Sequence, residues 1–140
     1  MSIKVEITEK GLDLEKYEEE INDLLFGEID TAIVNIRSGA VLDAPVDEGF
    51  LKASIRSNMD GRTLTGKVYT RIPYAPYQEF GTGGLVDIPK GWEEYAIKFK
   101  GAGIRQVNMK PQPFLYPNFF KYGKELIVNL DKGIKSLINK

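Results

Sequence analysis

The sequence contains neither cysteine nor histidine. Without cysteine the chain can form no disulfide and no thiolate metal site, and cysteine usage does not indicate whether the protein resides in an oxidising or a reducing compartment. Without histidine it lacks the commonest general base and the commonest metal ligand. These two absences weaken every hypothesis of an enzyme.

Long apolar runs are also missing. No stretch approaches the roughly 18 apolar residues that a membrane span requires, and the first residues, Met-Ser-Ile-Lys-Val-Glu, lack the apolar core of a signal peptide. We therefore expect a soluble protein that is made in the cytoplasm and does not contact membranes.

Recognisable catalytic motifs are absent as well. The chain has no Walker loop, no dinucleotide fingerprint and no metal-ligand spacing. Its adjacent acidic pairs, such as Asp47/Glu48 and Glu93/Glu94, carry side chains that diverge on most backbones, so nothing favours a carboxylate-based hydrolase. We expect no enzyme activity, no cofactor and no bound metal.

The composition is that of an ordinary globular protein, with 140 residues, 42% hydrophobic and 28% charged residues, and a net charge of −1. This length predicts a single domain over residues 1–140. The charge is uneven: residues 1–30 hold ten acids and three bases, and residues 31–140 hold ten acids and sixteen bases. Two interpretations stay open, namely two solvated faces of opposite sign or head-to-tail contact between copies.

Two stretches have the apolar periodicity of long amphipathic helices. The first begins after Asp13 and reaches about Leu42, on the order of 45 Å at 1.5 Å per residue, and Gly27 could bend or break it. The second begins at Pro117, which suits the first turn of a helix, and continues to the end of the chain. The first helix is acidic near its start, and the second is basic on its outer face.

Shorter segments alternate as strands do. Residues 3–7 predict one short strand. Segments 55–59 and 63–72 flank the turn dipeptide Asp60-Gly61, and together they predict a hairpin.

The most unusual stretch is residues 74–83, Tyr-Ala-Pro-Tyr-Gln-Glu-Phe-Gly-Thr-Gly. Its proline pushes the preceding residue away from the helical region, one helical turn can follow, and Gly81 can end that turn in a left-handed conformation. We expect Tyr74 and Phe80 to anchor the core, and Tyr77 and Glu79 to be exposed. Residues 81–84 would then serve as a hinge.

Residues 82–110 predict a second, mobile hairpin in which aromatic and basic side chains are interleaved. Such a mixture is typical of single-strand nucleic-acid binding, and equally of a hairpin that packs on a neighbouring subunit. The expected subunit or partner contacts in this stretch and the preceding one are Tyr74, Tyr77, Glu79, Trp92, Tyr95, Phe99 and Arg105.

Three motifs occur in a fixed order. The first is Ala-Pro-Val-Asp-Glu-Gly-Phe-Leu-Lys-Ala-Ser-Ile at 44–55, the second is Tyr-Ala-Pro-Tyr-Gln-Glu-Phe-Gly-Thr at 74–82, and the third is Pro-Phe-Leu-Tyr-Pro at 113–117. Together they resemble the head–tail joining, or tail-completion, proteins of long-tailed bacteriophages and prophages. The chain departs from the family pattern at Glu48, Pro76 and Asn118. The residues expected to carry the motifs structurally are Asp47, Gly49, Leu51, Phe80, Gly81, Pro113, Phe114, Leu115 and Pro117.

The resemblance implies an α+β fold, with long N-terminal and C-terminal helices packed on a small antiparallel sheet. It further implies a non-enzymatic virion protein, assembled in the host cytoplasm, that forms a six-fold ring at the neck or tail end. Its partners would be copies of itself and tail-tube, tail-terminator or head-connector proteins, with DNA only as the passing genome. The alternative function is a small single-stranded nucleic-acid-binding module that uses the basic and aromatic residues of 90–110.

Overall fold

Two long helices and a two-stranded sheet make up most of the structure, a computed structural model that describes residues 3–6, 14–46, 49–82, 85–93 and 110–139. A 3-10 turn, Leu14–Tyr17, leads into the first long helix. The elements that follow in chain order are α1 (Glu18–Asp43), α2 (Phe50–Ser54), β1 (Arg56–Asp60), β2 (Thr65–Tyr69), α3 (Ala75–Phe80) and α4 (Tyr116–Ile138). The expected α+β class, long helices on a small antiparallel sheet, is confirmed.

Helices α1 and α4 pack against each other in antiparallel orientation. Leu24, near the start of α1, lies against Gly133 near the end of α4, and Ala32 packs with Leu126 and Leu130. Helix α1 runs unbroken through Gly27, where the sequence suggested a bend or break. Because the apolar stripe of α1 continues on both sides of this glycine, packing holds the helix together despite the weak local propensity.

The hairpin packs on α1 through a glycine. Strands β1 and β2 pair with Asp60 opposite Thr65. Strand β1 has the predicted length and begins one residue later, whereas β2 is shorter than the predicted 63–72. Gly66 brings the β2 backbone so close to α1 that an added Cβ would lie 2.5 Å from Ile33 and 3.0 Å from Ile29. The connecting turn contains Leu64 at φ 52°, a backbone region that disfavours bulky side chains.

Residues 3–6 do not form the expected strand. Ile3 instead lies against Gly123 of α4, and Val5 packs on the cluster between the long helices. The alternation therefore marked the side that contacts the helices, although Val5 is only half-buried and Ile3 remains 37% exposed. Burial against helices satisfies that pattern without a neighbouring strand.

Candidate functional site: the motif junction and its surface

The first motif ties the end of α1 to the hairpin. Gly49 takes φ 78° just before α2, a conformation that favours glycine, and Leu51 and Ile55 are almost fully buried. The Lys52 ammonium donates a 2.8 Å hydrogen bond to the carbonyl oxygen of Val41 in the last turn of α1. That carbonyl is one of those a helix end leaves without an intrahelical partner. Asp47, which the sequence placed in this motif, lies outside the described residues.

The second motif forms α3. Pro76 sits in its first turn, and Ala75 is already helical, contrary to the expected effect of a following proline. The Tyr74 carbonyl accepts hydrogen bonds from the backbone N–H groups of Tyr77 and Gln78, and these bonds hold the turn closed. Gly81 ends α3 with φ 79° and ψ −178°, a region open essentially to glycine alone.

The third motif lies against α3 and is held there by the carboxylate of Glu79. One oxygen of Glu79, Oε2, accepts the N–H groups of Phe114 at 2.9 Å and Leu115 at 3.0 Å. The other oxygen, Oε1, accepts the N–H of Tyr116 at 2.7 Å. Helix α4 has no side-chain cap of its own at Leu115, so Glu79 satisfies donors that the helix start leaves unpaired.

Glu79 is therefore not the exposed contact that the sequence predicted. Only 4% of the residue is exposed. Burial raises the pKa of its carboxyl, and the N–H groups of Tyr116, Phe114 and Leu115 oppose that rise in part. A second link, from the N–H of Gln112 to the carbonyl of Gln78 at 2.7 Å, joins the same two segments through their backbones.

All three motifs meet in one apolar cluster, which we call the motif junction. Its members are the buried residues Ala40, Ala44, Leu51, Ile55, Ala75 and Phe114. The first motif supplies three of them, and the second and third supply one each. Leu51 and Phe114, which were expected to carry the motifs structurally, are buried here, and the expected core position of Phe80 is confirmed in a neighbouring cluster.

That neighbouring cluster is aromatic and contains Trp92. The Trp92 ring lies 5.8 Å from Phe119, 6.0 Å from Tyr116 and 6.3 Å from Phe80, measured between ring centroids and in tilted or edge-on geometry. Trp92 is 7% exposed, so the partner contact expected of it would require this cluster to open. The segment around it is also anchored by the N–H of Asp87, which donates to the Phe80 carbonyl at 2.8 Å.

The first part of the stretch predicted as a mobile hairpin packs on the rest of the chain. Thr82 is buried, and residues 85–93 pack back on α3 and α4. Three further expected contacts, Tyr95, Phe99 and Arg105, lie outside the described residues, as do two of the four expected hinge residues, 83 and 84.

Asn118 is a structural residue that the sequence did not reveal as such. It is buried in the first turn of α4, where its Nδ2 donates to the Phe114 carbonyl at 2.7 Å and to Asp43 Oδ2 at 2.9 Å. Gly39 lies so close that an added Cβ would overlap the Asn118 side chain. The only signal in the sequence was the departure from the family pattern, which usually has alanine here.

Large apolar side chains are exposed around the motif junction. Leu42, Val46 and Phe50 are 78%, 80% and 61% exposed, and Tyr74 is 37% exposed rather than a core anchor. They are chain neighbours of buried junction residues, and we call these four the corner surface. Tyr77, the other expected contact of the second motif, is half-buried. Large apolar residues that are exposed in neighbouring parts of the chain are candidates for contact with a partner.

Metal and membrane sites find no support in the part of the chain that the structure describes. No group of three or more acidic, histidine or cysteine side chains there could hold a metal ion. No helix there is long and apolar enough to cross a bilayer. Comparison of the chain with protein-family models, with curated proteins and with solved structures finds no match in any of the three.

Proposed function

We propose that this protein is a structural component of the neck or tail end of a long-tailed bacteriophage or prophage. In this role it forms or completes a ring that joins the tail to the head connector. The observation that carries the proposal is the convergence of the three family-like motifs, with Glu79 of the second bound to three consecutive N–H groups at the third.

This convergence supports a scaffold role because the motif residues satisfy one another internally. In an enzyme, convergent polar groups would face a cleft where a substrate could reach them. Here the Glu79 carboxylate is directed at backbone donors, and the Lys52 ammonium at α1 carbonyl oxygens. The motifs therefore account for the shape of the chain and leave its surface available for assembly.

The corner surface supports the same role. Exposed apolar area is unfavourable in water by roughly 25 cal/mol per Å², and three large apolar side chains lie within nine residues of one another. A partner that covers Leu42, Val46 and Phe50 would recover that free energy. A tail-tube or connector protein fits this requirement.

The nucleic-acid alternative loses part of its basis. It relied on stacking bases on Trp92, Tyr95 and Phe99, and Trp92 is enclosed by other aromatic side chains. Stacking on Trp92 would require the aromatic cluster to open, at the cost of its packing. No described residue provides a second observation in favour of this function.

The test is binding to the two expected neighbours. Purified tail tubes and purified head connector would each be incubated with the protein, and binding measured by co-sedimentation and by negative-stain imaging of tube ends. We expect the protein at one end of the tubes or on the connector. Absence of binding to both would contradict the proposal.

A matched pair of variants locates the contact. Tyr74→Ala removes a corner-surface residue, and Tyr69→Ala removes the same side chain from the hairpin at nearly equal exposure, 37% against 36%. We expect Tyr74→Ala to weaken binding and Tyr69→Ala to leave it unchanged. Equal effects would move the contact away from the corner surface.

A further inference from the structure

The solvent side of α1 carries an acidic face with apolar residues within it. Glu19, Asp23, Phe26, Asp30 and Val34 recur at three- and four-residue spacing, so they share one side of the helix. Phe26 and Val34 are 43% and 51% exposed, with one edge of the Phe26 ring against Gly61 of the hairpin turn, and the three acids are exposed as well. We call these five residues the acidic face.

The solvent side of α4 is mainly basic, with the exposed acids Glu125 and Asp131 at its edges. Lys121, Lys124, Val128, Lys132 and Lys135 share one side of α4 at the same kind of spacing, and we call them the basic face. All four lysines are exposed, and Val128 at their centre is 50% exposed. The two faces have nearly equal lengths of about 22 Å and 21 Å, at 1.5 Å per residue.

These faces do not neutralise each other within one molecule. Helices α1 and α4 contact each other through other sides, for example Leu24 against Gly133. Across residues 3–6, 14–46, 49–82, 85–93 and 110–139, the only ion pair joins Lys135 to Asp131 within α4. Exposed pairs one helical turn apart contribute only a few tenths of a kcal/mol, so this pair leaves Lys135 available to a stronger partner.

We infer that the acidic face of one copy binds the basic face of a second copy of this chain. With Phe26 set against Val128, each of the three acids lies within one residue of a lysine on the facing helix, and the fourth lysine lies opposite Val34. Asp23 and Asp30 then each face a lysine, whichever way the two helices run. An apolar centre surrounded by opposite charges is the general arrangement of a specific protein interface.

Such a contact joins two different patches, so it leaves one free face of each kind at the ends of every pair. Repetition closes into a ring when the rotation between copies allows it, and otherwise gives a chain. The inference deepens the proposed function, since it names the contact between ring subunits, and it rests on that proposal only for its biological setting.

The test is charge exchange between copies. Asp23→Lys/Asp30→Lys makes both faces basic, and Lys124→Glu/Lys132→Glu places two acids on either side of Val128 and cancels the net charge of the basic face. We expect the unmodified protein to self-associate as concentration rises and salt falls, in sedimentation velocity, and each variant alone to lose at least about tenfold in affinity. An equimolar mixture of the two variants should recover association, because each then offers the other an opposite face.

Two control variants change the net charge equally at exposed positions off both faces. They are Glu6→Lys/Asp87→Lys and Arg62→Glu/Lys90→Glu, and we expect both to associate as the unmodified protein does. Thermal melting would verify that all four variants are folded. Failure of the unmodified protein to associate at any concentration or salt, or of the variant mixture to recover, would overturn the inference.

Disulfide trapping tests the central contact, because the natural chain has no cysteine. We expect Phe26→Cys protein mixed with Val128→Cys protein to give mainly the mixed disulfide on oxidation. Predominance of disulfides between identical variants would indicate a two-fold contact and would overturn the inference. Binding to tail tubes or connector without self-association would reject this interface and leave the proposed function standing. Self-association without binding to either neighbour would support this interface and contradict the proposed function.

Discussion

At the scale of single residues, Glu79 connects two segments that are well separated in the chain. Its carboxylate joins α3 to a helix that begins 37 residues later. The N–H groups that donate hydrogen bonds to it lie at the start of a helix, where the helix has no preceding carbonyl oxygen to accept them. One side chain thus caps α4 and ties its first turn to α3.

Replacement of Glu79 by alanine should destabilise the fold. The change leaves several backbone donors unpaired at a buried site, and we expect the free energy of unfolding to fall by on the order of 1–3 kcal/mol. Urea denaturation followed by circular dichroism measures this. Glu125→Ala removes an exposed glutamate of α4 and should change stability little. Equal losses for the two variants would show that the Glu79 hydrogen bonds add no net stability.

The pH dependence of stability has a defined sign at Glu79. Burial raises the pKa of the folded carboxyl above its ordinary value of 4.5, so between the two values the folded state holds a proton that the unfolded state releases. Stability relative to a Glu79→Gln variant should therefore increase as pH falls from neutral towards that ordinary value. Denaturation at several pH values measures the difference. A relative loss on acidification would mean that the N–H donors outweigh burial.

Phe80 should contribute through packing alone. It is 7% exposed and lies in the aromatic cluster with Trp92, so Phe80→Ala should cost about 3–5 kcal/mol of unfolding free energy. Phe50→Ala is the matched control, because Phe50 is 61% exposed. Denaturation midpoints of the two variants would be compared. A loss for Phe80→Ala no larger than the control would contradict its place in the core.

At the scale of elements, glycine decides how closely the helices and the hairpin approach. Gly66 permits β2 to contact Ile33 and Ile29, and Gly133 permits Leu24 of α1 to contact α4. Neither position needs a positive φ. Their requirement is therefore for space between elements.

A pair of glycine-to-alanine variants distinguishes the steric requirement for glycine from its effect on helix propensity. Gly66→Ala should destabilise, since its Cβ would overlap Ile33, whereas Gly27→Ala meets no atom within 4 Å. Gly27→Ala should stabilise α1, by up to about 1 kcal/mol, because alanine has the higher helix propensity. Thermal melts of both variants test this, and opposite shifts in Tm are the expected result. A stabilising Gly66→Ala would show that the hairpin can move away from α1 at no cost.

At the scale of the whole molecule, the clusters are linked by shared residues. Leu115 packs against both the motif junction and the aromatic cluster. Helix α1 contributes residues to the motif junction and to the cluster between the long helices, which contains Ala32, Leu126 and Leu130. Opposite charge then lies on outward faces of the two long helices. The interior is continuous, and the surface offers distinct patches to partners.

Unfolding should be cooperative across these clusters. Trp92 is the only tryptophan, and it contacts side chains of both α3 and α4. Its fluorescence should therefore change at the same denaturant concentration as the helical circular dichroism signal. Separate transitions would mean that residues 85–93 detach before the helices unfold.

The sequence by itself determined the elements whose signals are local. Apolar spacing located α1 and α4, the dipeptide Asp60-Gly61 located the hairpin, and Gly81 marked the end of α3. Burial of Leu51, Phe80 and Phe114 was also predictable, because large apolar side chains in structured segments are rarely left in water. These outcomes depend on residues within a few positions of one another.

Only the tertiary structure decided the roles of Glu79, Trp92, Tyr74 and Asn118. A glutamate next to aromatic residues has the same local pattern whether it faces solvent or caps a helix, and here its partners lie 35 to 37 residues further along the chain. For the same reason, Trp92, expected to contact a partner, is buried, and Tyr74, expected to anchor the core, is exposed. Burial of a polar or aromatic side chain depends on which distant groups the fold brings to it, and local periodicity contains no information about those groups.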